Sequence, residues 1–290
     1  MMAAGAPPSL PSPDLDALTP PHHQALRRAF VLLERQNFAA RLADYAGQPL
    51  ERVMRMMPPG ASRSLNRTIE AAILRCLNLA IRSIDQTATR RPATQLSSLM
   101  AGINGGVSGF FGLAALPIEL PLTTTLMLRS IADTARHYGE DLSQLEARLA
   151  CVEVFALGAQ SPQRRMDVGY FATRMLLGKL AANASTTMIE RTTVSASTPV
   201  VNSFISEIVS RFGVIASERF AASAVPVLGA VGGATVNMVF MNHFQRVAQG
   251  HFIVRRLERL YGPALVRRHY DDLFSDHEWR NDRIKARARG

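Results

Sequence analysis

Two glutamates, Glu146 and Glu153, lie seven residues apart in "GEDLSQLEARLACVEVFALG", a segment with helical periodicity. Seven residues are close to two turns of a helix, so both carboxylates share one face. Paired carboxylates that face a common cleft can perform acid–base chemistry or bind a metal ion. An exposed acidic stripe, or a row of partners for arginine, has the same spacing, so both interpretations stay open.

Two histidines, His243 and His251, flank the stretch "FQRVAQG" and are further catalytic candidates. Eight residues make two helical turns plus about 80°, so the two rings do not stack on one face. A metal site would need ligands from elsewhere in the chain, and structural histidines with satisfied hydrogen bonds are the alternative. The sequence therefore predicts neither a metal site nor a cofactor.

Four residues are candidates for binding contacts. Arg129 and Asp133 are four residues apart and can pair on one helix face. Arg255 and Arg256 begin the stretch "RRLERLYGPALVRRH", in which arginines alternate with apolar residues. Such a helix can dock on anionic lipid, although an ordinary solvated helix face shows the same pattern.

Signatures of familiar enzyme classes are absent from the sequence. "HEWRN" begins like a zinc-protease motif, but Asn281 stands where the second histidine is needed. The serine of "GGVSGF" is out of register for a nucleophile elbow, and no phosphate-binding loop is present. Cys76 and Cys151 occur in apolar helical patterns and are predicted to be buried, reduced thiols. These observations favour a protein that is not an enzyme.

The composition is typical of a globular protein with a basic surface. Of the 290 residues, 47% are hydrophobic, and the formal net charge is +10. A basic chain favours an anionic partner, although a soluble basic protein without such a partner has the same charge. Nucleic acid is not predicted, because no RNA- or DNA-binding signature is present and aromatic residues make up only 7%. The predicted partner is therefore anionic membrane lipid or a membrane transporter.

Two uncharged segments rich in Gly, Ala and Pro cover residues 92–118 and 220–242. Both are long enough to span a bilayer, but their glycines recur at a spacing that favours close helix packing. At the end of the first segment Pro117 and Pro121 flank Glu119, so we expect two short helices that meet at a break there. Such a hairpin is either buried in the core or set into one leaflet, and an uninterrupted span is least favoured. Glu119 is the fifth catalytic candidate.

Helical periodicity extends over most of the chain, and almost nothing follows the alternation of a strand. The predicted fold is an all-α multi-helix bundle, with the two Gly/Ala/Pro-rich hairpins in its core or at a membrane surface. Helices are expected to begin at Ser62 or Ser64 and at Ser161–Pro162, and to run over Pro199–Arg219.

One helical domain is expected over residues 22–275. It lies between a disordered, proline-rich leader, residues 1–21, and a basic flexible tail, residues 276–290. The leader lacks the basic and apolar regions of a secretory signal. We therefore expect a cytoplasmic protein that is peripheral to, or partly inserted in, the inner membrane.

Three blocks of sequence resemble the EcsC family of bacterial proteins. They are "GFFGLAALPIELPLTTTLMLRSIADTARHYGEDL", "EARLACVEVFALG" and "VPVLGAVGGATVNMVFMNHFQRVAQGHFIVRRLERLYG", which together cover roughly residues 60 to 265. The resemblance implies a mainly helical protein. The family takes its name from a gene beside those of an ABC exporter, whose loss affects secretion and membrane physiology. Some members carry a peptidase label, but this sequence has no recognisable protease motif.

Two functional hypotheses follow from the sequence. The first is a non-enzymatic helical protein at the inner membrane face that acts on lipid or on a membrane partner, as an accessory to transport or secretion. The second is a helical hydrolase, acting on peptides or lipids through a site built from the five Glu and His candidates. The first is favoured by the uncharged segments and the positive charge.

Overall fold

A computed structural model describes residues 17–34, 61–81, 116–159, 169–190, 199–223 and 229–275. Within these ranges the chain is helical apart from short turns, and no strand is present. The predicted all-α bundle is therefore confirmed. The helices are α1 (Pro20–Glu34), α2 (Ala61–Ile81), α3 (Leu116–His137), α4 (Leu145–Leu157), α5 (Tyr170–Glu190), α6 (Pro199–Ser223), α7 (Gly229–Tyr261) and α8 (263–275).

The shortest helix of the middle region, α4, lies at the centre of the bundle. It packs against α2, α3, α5, α6 and α7. Ten of its 13 residues are buried, because its sequence is apolar on nearly every side. Among them is one carboxylate, that of Glu153.

The longest helix, α7, contacts α1, α3, α4 and α6. It packs tightly on α1 at Gly250, where an added Cβ would lie 2.7 Å from Cγ of Leu33. A glycine at this point lets the two helices meet at short range. The N-terminal helix is thereby attached to the helix that also carries Arg255 and Glu258.

An aromatic cluster fills the core between α4, α6 and α7. Phe155, Phe212, Phe240 and Phe244 contact one another with ring centroids 5.2–6.0 Å apart. The C-cap of α4, Gly158, leaves room for one of these rings, since an added Cβ would lie 2.5 Å from Cε1 of Phe244. The glycine at the end of α4 therefore also makes room in the core for Phe244.

The predicted break at Glu119 is wrong, because α3 runs without interruption from Leu116 to His137. Pro117 falls in the first turn, where a backbone N–H has no acceptor within the helix. Pro121 lies just beyond that turn and removes a single backbone bond. The hydroxyls of Thr124 and Thr125 donate to the carbonyls of Leu120 and Pro121, at 2.8 and 2.7 Å.

The helix start predicted at Ser62 or Ser64 is also wrong. The second helix already begins at Ala61, so Ser62 and Ser64 lie within it and do not cap it. The start predicted at Ser161–Pro162 lies outside the described residues; within them, α5 begins at Tyr170, and Gly169 before it is not helical. The predicted helix Pro199–Arg219 is confirmed and extends to Ser223.

Several other predictions lie partly or wholly outside the described residues. These are the glycine-rich part of the first uncharged segment, the turn expected in the second one, residues 1–16 of the leader and the tail from 276. The rest of the leader is described: Leu18 is buried, and α1 begins at Pro20. Both cysteines are buried and free, as predicted.

Matching glycines end α3 and α7. Gly139 and Gly262 each follow a tyrosine and have a φ of 81°. Glycine adopts this left-handed conformation without strain, so it ends a helix and redirects the chain. After Gly139 the chain turns back to place Glu140 against α7, and after Gly262 it enters α8.

Candidate functional site

A cavity of about 640 Å³ opens among α4, α5, α7 and α8. Apolar side chains form much of its wall, and six charged residues line it. The apolar members include Leu149, Phe171, Met175, Ala181 and Pro263. The charged members are Glu146, Glu153, Arg174, Arg255, Glu258 and Arg267.

Glu153 is the buried carboxylate of this cavity. It is only 5% exposed, and it has no hydrogen bond to any described residue. Burial raises the pKa of Glu153 to about 7; the charges of Arg255 and Arg174 oppose this rise, and Glu146 adds to it. A carboxyl group with such a pKa exchanges its proton near neutral pH.

Arg174 of α5 is held by Glu258 of α7. Its Nη1 and Nη2 donate to the two carboxylate oxygens, each at 2.6 Å. The guanidinium also lies over the rings of Tyr170 and Phe171, 5.9 and 6.0 Å from their centroids. A bidentate ion pair and two ring contacts fix the orientation of this side chain.

Arg255 is held by the carboxylates of Glu140, in the turn before α4, and of Glu146, in the first turn of α4. Its Nε and Nη2 donate to Glu140 at 2.9 and 3.1 Å, and Nη2 also lies 3.4 Å from Oε1 of Glu146. Glu140 accepts a further bond from Arg259, which donates to the carbonyl of Tyr138 as well. Burial alone would raise the pKa of Glu140, but the bonds from Arg255 and Arg259 outweigh it and lower the pKa.

The two histidines are buried outside the lining of this cavity. Nδ1 of His251 lies 2.9 Å from the hydroxyl of Tyr170, while its Nε2 has no hydrogen-bond partner among the described residues. Burial lowers the pKa of His251 well below its usual value, with Arg174 and Arg255 adding to the effect. The Nε2 of His243 donates to the carbonyl of Gly158 at 2.7 Å. Both histidines therefore form contacts that tie α7 to α4 or α5.

Of the five catalytic candidates, the structure brings Glu146 and Glu153 to one cavity. The side chain of Glu119 lies outside the described residues. Arg255 lines the cavity, whereas its neighbour Arg256 is exposed. Among the described residues, no three His, Cys, Asp or Glu side chains form a group that could hold a metal ion.

The predicted pair of Arg129 and Asp133 is not formed. Asp133 instead forms an ion pair of 2.8 Å with Arg136, three residues further along the helix. Arg129 is exposed and acts on Asp133 through its charge alone.

Three residues of the site, Glu140, Arg174 and Glu258, are not among the sequence-based candidates. Each pairs with a residue 84 or more positions away in the chain. Local spacing carries no signal for such a pair. Only Glu140 could have been noticed from the local sequence, because it directly follows the Tyr138-Gly139 pair after α3.

In the part of the chain that the structure describes, none of the helices combines the length and the apolar character needed to cross a bilayer.

Comparison with known proteins identifies the family of this chain. No curated protein and no solved structure matches the chain significantly. Residues 32–257 match the EcsC protein family. This range covers most of the 290 residues and includes α4, α5 and α7 as far as Leu257, but not Glu258 or α8. The chain therefore belongs to the EcsC protein family.

Proposed function

We propose that this EcsC protein docks on the anionic inner surface of a membrane and acts there on lipid or on a membrane partner, without being an enzyme. The observation that carries the proposal is the run of residues 255–268, at the end of α7 and the start of α8. Five of its 14 residues are arginine, and one is acidic. Four of the five arginines are exposed: Arg256, Arg259, Arg267 and Arg268.

Apolar side chains are exposed beside these arginines. Leu260 is 52% exposed and lies one turn after Arg256, on the same face of α7. On α5, Met175 and Leu176 are exposed at 46% and 42%. Nη1 of Arg267 lies 3.3 Å from Sδ of Met175, so the exposed part of α5 adjoins α8. We call the four exposed arginines, Leu260, Met175 and Leu176 the basic-apolar surface.

Such a surface fits an anionic bilayer better than a soluble apolar partner. Each arginine close to an anionic leaflet contributes about 1 kcal/mol of attraction at moderate ionic strength. Leucine and methionine side chains add free energy when they enter the acyl boundary. The formal net charge of +10 supports long-range attraction to the same leaflet.

Flotation with protein-free vesicles tests the proposal. Full-length protein should float with vesicles that contain phosphatidylglycerol, remain below with pure phosphatidylcholine, and dissociate from the anionic vesicles in high salt. Flotation with native inner membranes alone would assign the docking to a membrane protein such as a transporter. Protein that remains in the soluble fraction with every membrane, at low salt, contradicts the proposal.

Paired variants locate the surface. The double substitution Arg256→Gln and Arg268→Gln should weaken vesicle binding by about 30-fold, at roughly 1 kcal/mol for each charge. The matched control is Arg67→Gln and Arg75→Gln, which removes two exposed arginines of α2. Leu260→Ser is matched in the same way by Leu79→Ser, because Leu79 is 40% exposed on α2. Equal losses in test and control variants would show that only the total charge or hydrophobicity matters.

One observation favours hydrolysis as a second candidate function. With a pKa raised to about 7, Glu153 could act as a general acid or base in the cavity. Among the described residues that line the cavity there is no Ser, Thr, Cys, His or Lys, so water would be the attacking group. Hydrolysis of ester or peptide substrates with a rate that changes between pH 6 and 8, and that Glu153→Gln abolishes, would support this function. Activity that persists in Glu153→Gln would exclude it.

A further inference from the structure

The cavity among α4, α5, α7 and α8 contains hydrogen-bond donors without acceptors. Arg255 uses Nε and Nη2 for Glu140 and Glu146, and its Nη1 has no acceptor among the described residues. Arg174 uses one N–H of each Nη for Glu258. Since a guanidinium has five N–H donors, both arginines keep unused donors. Both line the cavity.

Glu153 is the other polar group of the cavity without a hydrogen bond to a described residue. Its side chain is about nine-tenths buried or more, at 5% exposure, and it lines the same space. In its protonated form the carboxyl group adds an O–H donor to those of the arginines. A buried polar group that lacks a partner costs free energy, so a ligand that supplies one binds favourably.

The unused N–H donors of Arg174 and Arg255 indicate the chemistry of the ligand. Three arginines, Glu146 and Glu258 line the cavity beside Glu153. Glu140 and Asp271 pair with Arg255 and Arg267 from outside the lining, so the charges by themselves leave little excess of either sign. It is the unused donors that a ligand head offering only acceptors fits. Carboxylates and phosphates have this chemistry, and guanidinium groups bind both.

The apolar wall indicates the rest of the ligand. Leu149, Phe171, Met175 and Ala181 line the same space as the charged groups. A volume of about 640 Å³ is in the usual range of pockets for small organic ligands. We propose that this cavity binds an amphiphile whose carboxylate or phosphate head contacts Arg255, Arg174 and Glu153, and whose apolar part lies along the wall. This inference goes beyond docking on a membrane, since it rests on the interior of the bundle.

The helices around Glu153 place titratable and charged side chains near it. On its own helix it faces Glu146; α5 contributes Arg174 and Tyr170, and α7 contributes Arg255 and Glu258. Arg267 of α8 lines the cavity as well. The other helices packed on α4 are α2, α3 and α6, and none of their described side chains lines the cavity.

Calorimetry with simple probes tests the proposal on the full-length protein. Octanoate and octyl phosphate should bind, octylamine should not, and octan-1-ol should bind at least tenfold more weakly than octanoate. Acetate and inorganic phosphate test whether the site needs the apolar chain as well as the anionic head. They should bind at least tenfold more weakly than octanoate and octyl phosphate. If they bind as tightly, the apolar part of the proposal is overturned. Binding of octylamine, or equal binding of octan-1-ol, overturns the anionic head.

Proton uptake tests the role of Glu153. Titrations of octanoate in two buffers with different ionisation enthalpies should show uptake of protons at pH 7 to 8, and affinity should fall about tenfold per pH unit above pH 7. Glu153→Gln imitates the protonated side chain, so it should bind octanoate with no proton uptake and with an affinity independent of pH. Proton release, or loss of binding by a folded Glu153→Gln variant, overturns the assigned role.

The arginine contact has its own variant and control. Arg255→Lys keeps the charge but removes the unused Nη1 donor, so octanoate affinity should fall at least tenfold. Arg67→Lys on α2 and Asp272→Asn on α8 change exposed residues outside the cavity and should leave the affinity unchanged. Thermal unfolding confirms that each variant is folded. Unchanged affinity in a folded Arg255→Lys variant overturns the contact.

Discussion

Arg174 and Glu258 join α5 to α7 by two hydrogen bonds of 2.6 Å. Their side chains are 17% and 12% exposed, so solvent screens the pair only in part. The pair forms one side of the cavity that contains Glu153. Since it links residues 84 positions apart, it also fixes the relative placement of two helices.

Glu258→Gln should lower the free energy of unfolding by about 2 kcal/mol, because the guanidinium of Arg174 would lose its ionic partner in a partly buried site. A double-mutant cycle with Arg174→Met should show a coupling of about 1–3 kcal/mol. Denaturant unfolding at pH 7 measures both quantities. The exposed pair Arg267 and Asp271, whose N–O distance is 3.7 Å, is the control and should show a coupling near zero.

Glu153 should make the protein less stable as the pH rises. Its pKa is raised from 4.5 to about 7 in the folded state, so the folded protein binds a proton that the unfolded chain has released. Stability is therefore greatest below the unfolded pKa, falls between about pH 4.5 and 7, and then stays level. The full effect is about 3 kcal/mol.

Glu153→Gln removes this dependence. The variant should be more stable than the parent protein by up to about 3 kcal/mol at pH 8 and nearly equal to it at pH 4.5. Denaturant unfolding over this pH range measures the difference. Glu70→Gln, at an exposed position of α2, is the control for the loss of one negative charge. A constant difference between parent and variant across the range would contradict the pKa assigned to Glu153.

His251 should act in the opposite direction, at acid pH. Burial keeps its pKa well below 6.5, so the unfolded chain takes up a proton that the folded protein excludes. Stability is therefore complete above about pH 6.5 and is lost as the pH falls below it, by about 1.4 kcal/mol per pH unit. His251→Gln should reduce this loss between pH 6.5 and 5. His137→Gln changes an exposed histidine of α3 and should not.

Gly158→Ala should destabilise the core. The new methyl group would lie 2.5 Å from Cε1 of Phe244, and that ring is held by Phe155, Phe212, Phe240 and His243. Overpacking of this kind costs about 1–3 kcal/mol.

Gly178→Ala is the matched control for Gly158→Ala. An added Cβ at Gly178 meets nothing within 4 Å, so the substitution should stabilise α5 by up to about 1 kcal/mol. Thermal unfolding of the two variants distinguishes crowding from helix propensity. Stabilisation by both would show that Phe244 can move aside.

The sequence predicts the all-α fold class and the two carboxylates of α4 that line the cavity. Residues seven apart on a helix share a face, so the spacing of Glu146 and Glu153 by itself indicates a common cleft. The structure places both in one cavity. It also shows what spacing leaves out, since Glu146 is exposed while Glu153 is buried.

Errors in the prediction also have physical causes. The break expected at Pro117 and Pro121 fails because the effect of proline depends on how far it lies from the start of a helix. The pairs of Arg174 with Glu258 and of Arg255 with Glu140 span 84 and 115 positions and depend on how helices pack. The hydrogen bond of His243 to the carbonyl of Gly158 depends equally on that packing.

The last turns of α7 belong to two surfaces at once. Arg255 and Glu258 face the cavity, whereas Arg256 and Leu260 face solvent. One rigid helix end therefore carries residues for both proposed contacts, and a displacement of it alters both. Thermodynamic reciprocity then applies to any such displacement: the factor by which a bilayer changes affinity for a cavity ligand equals the factor by which that ligand changes affinity for the bilayer.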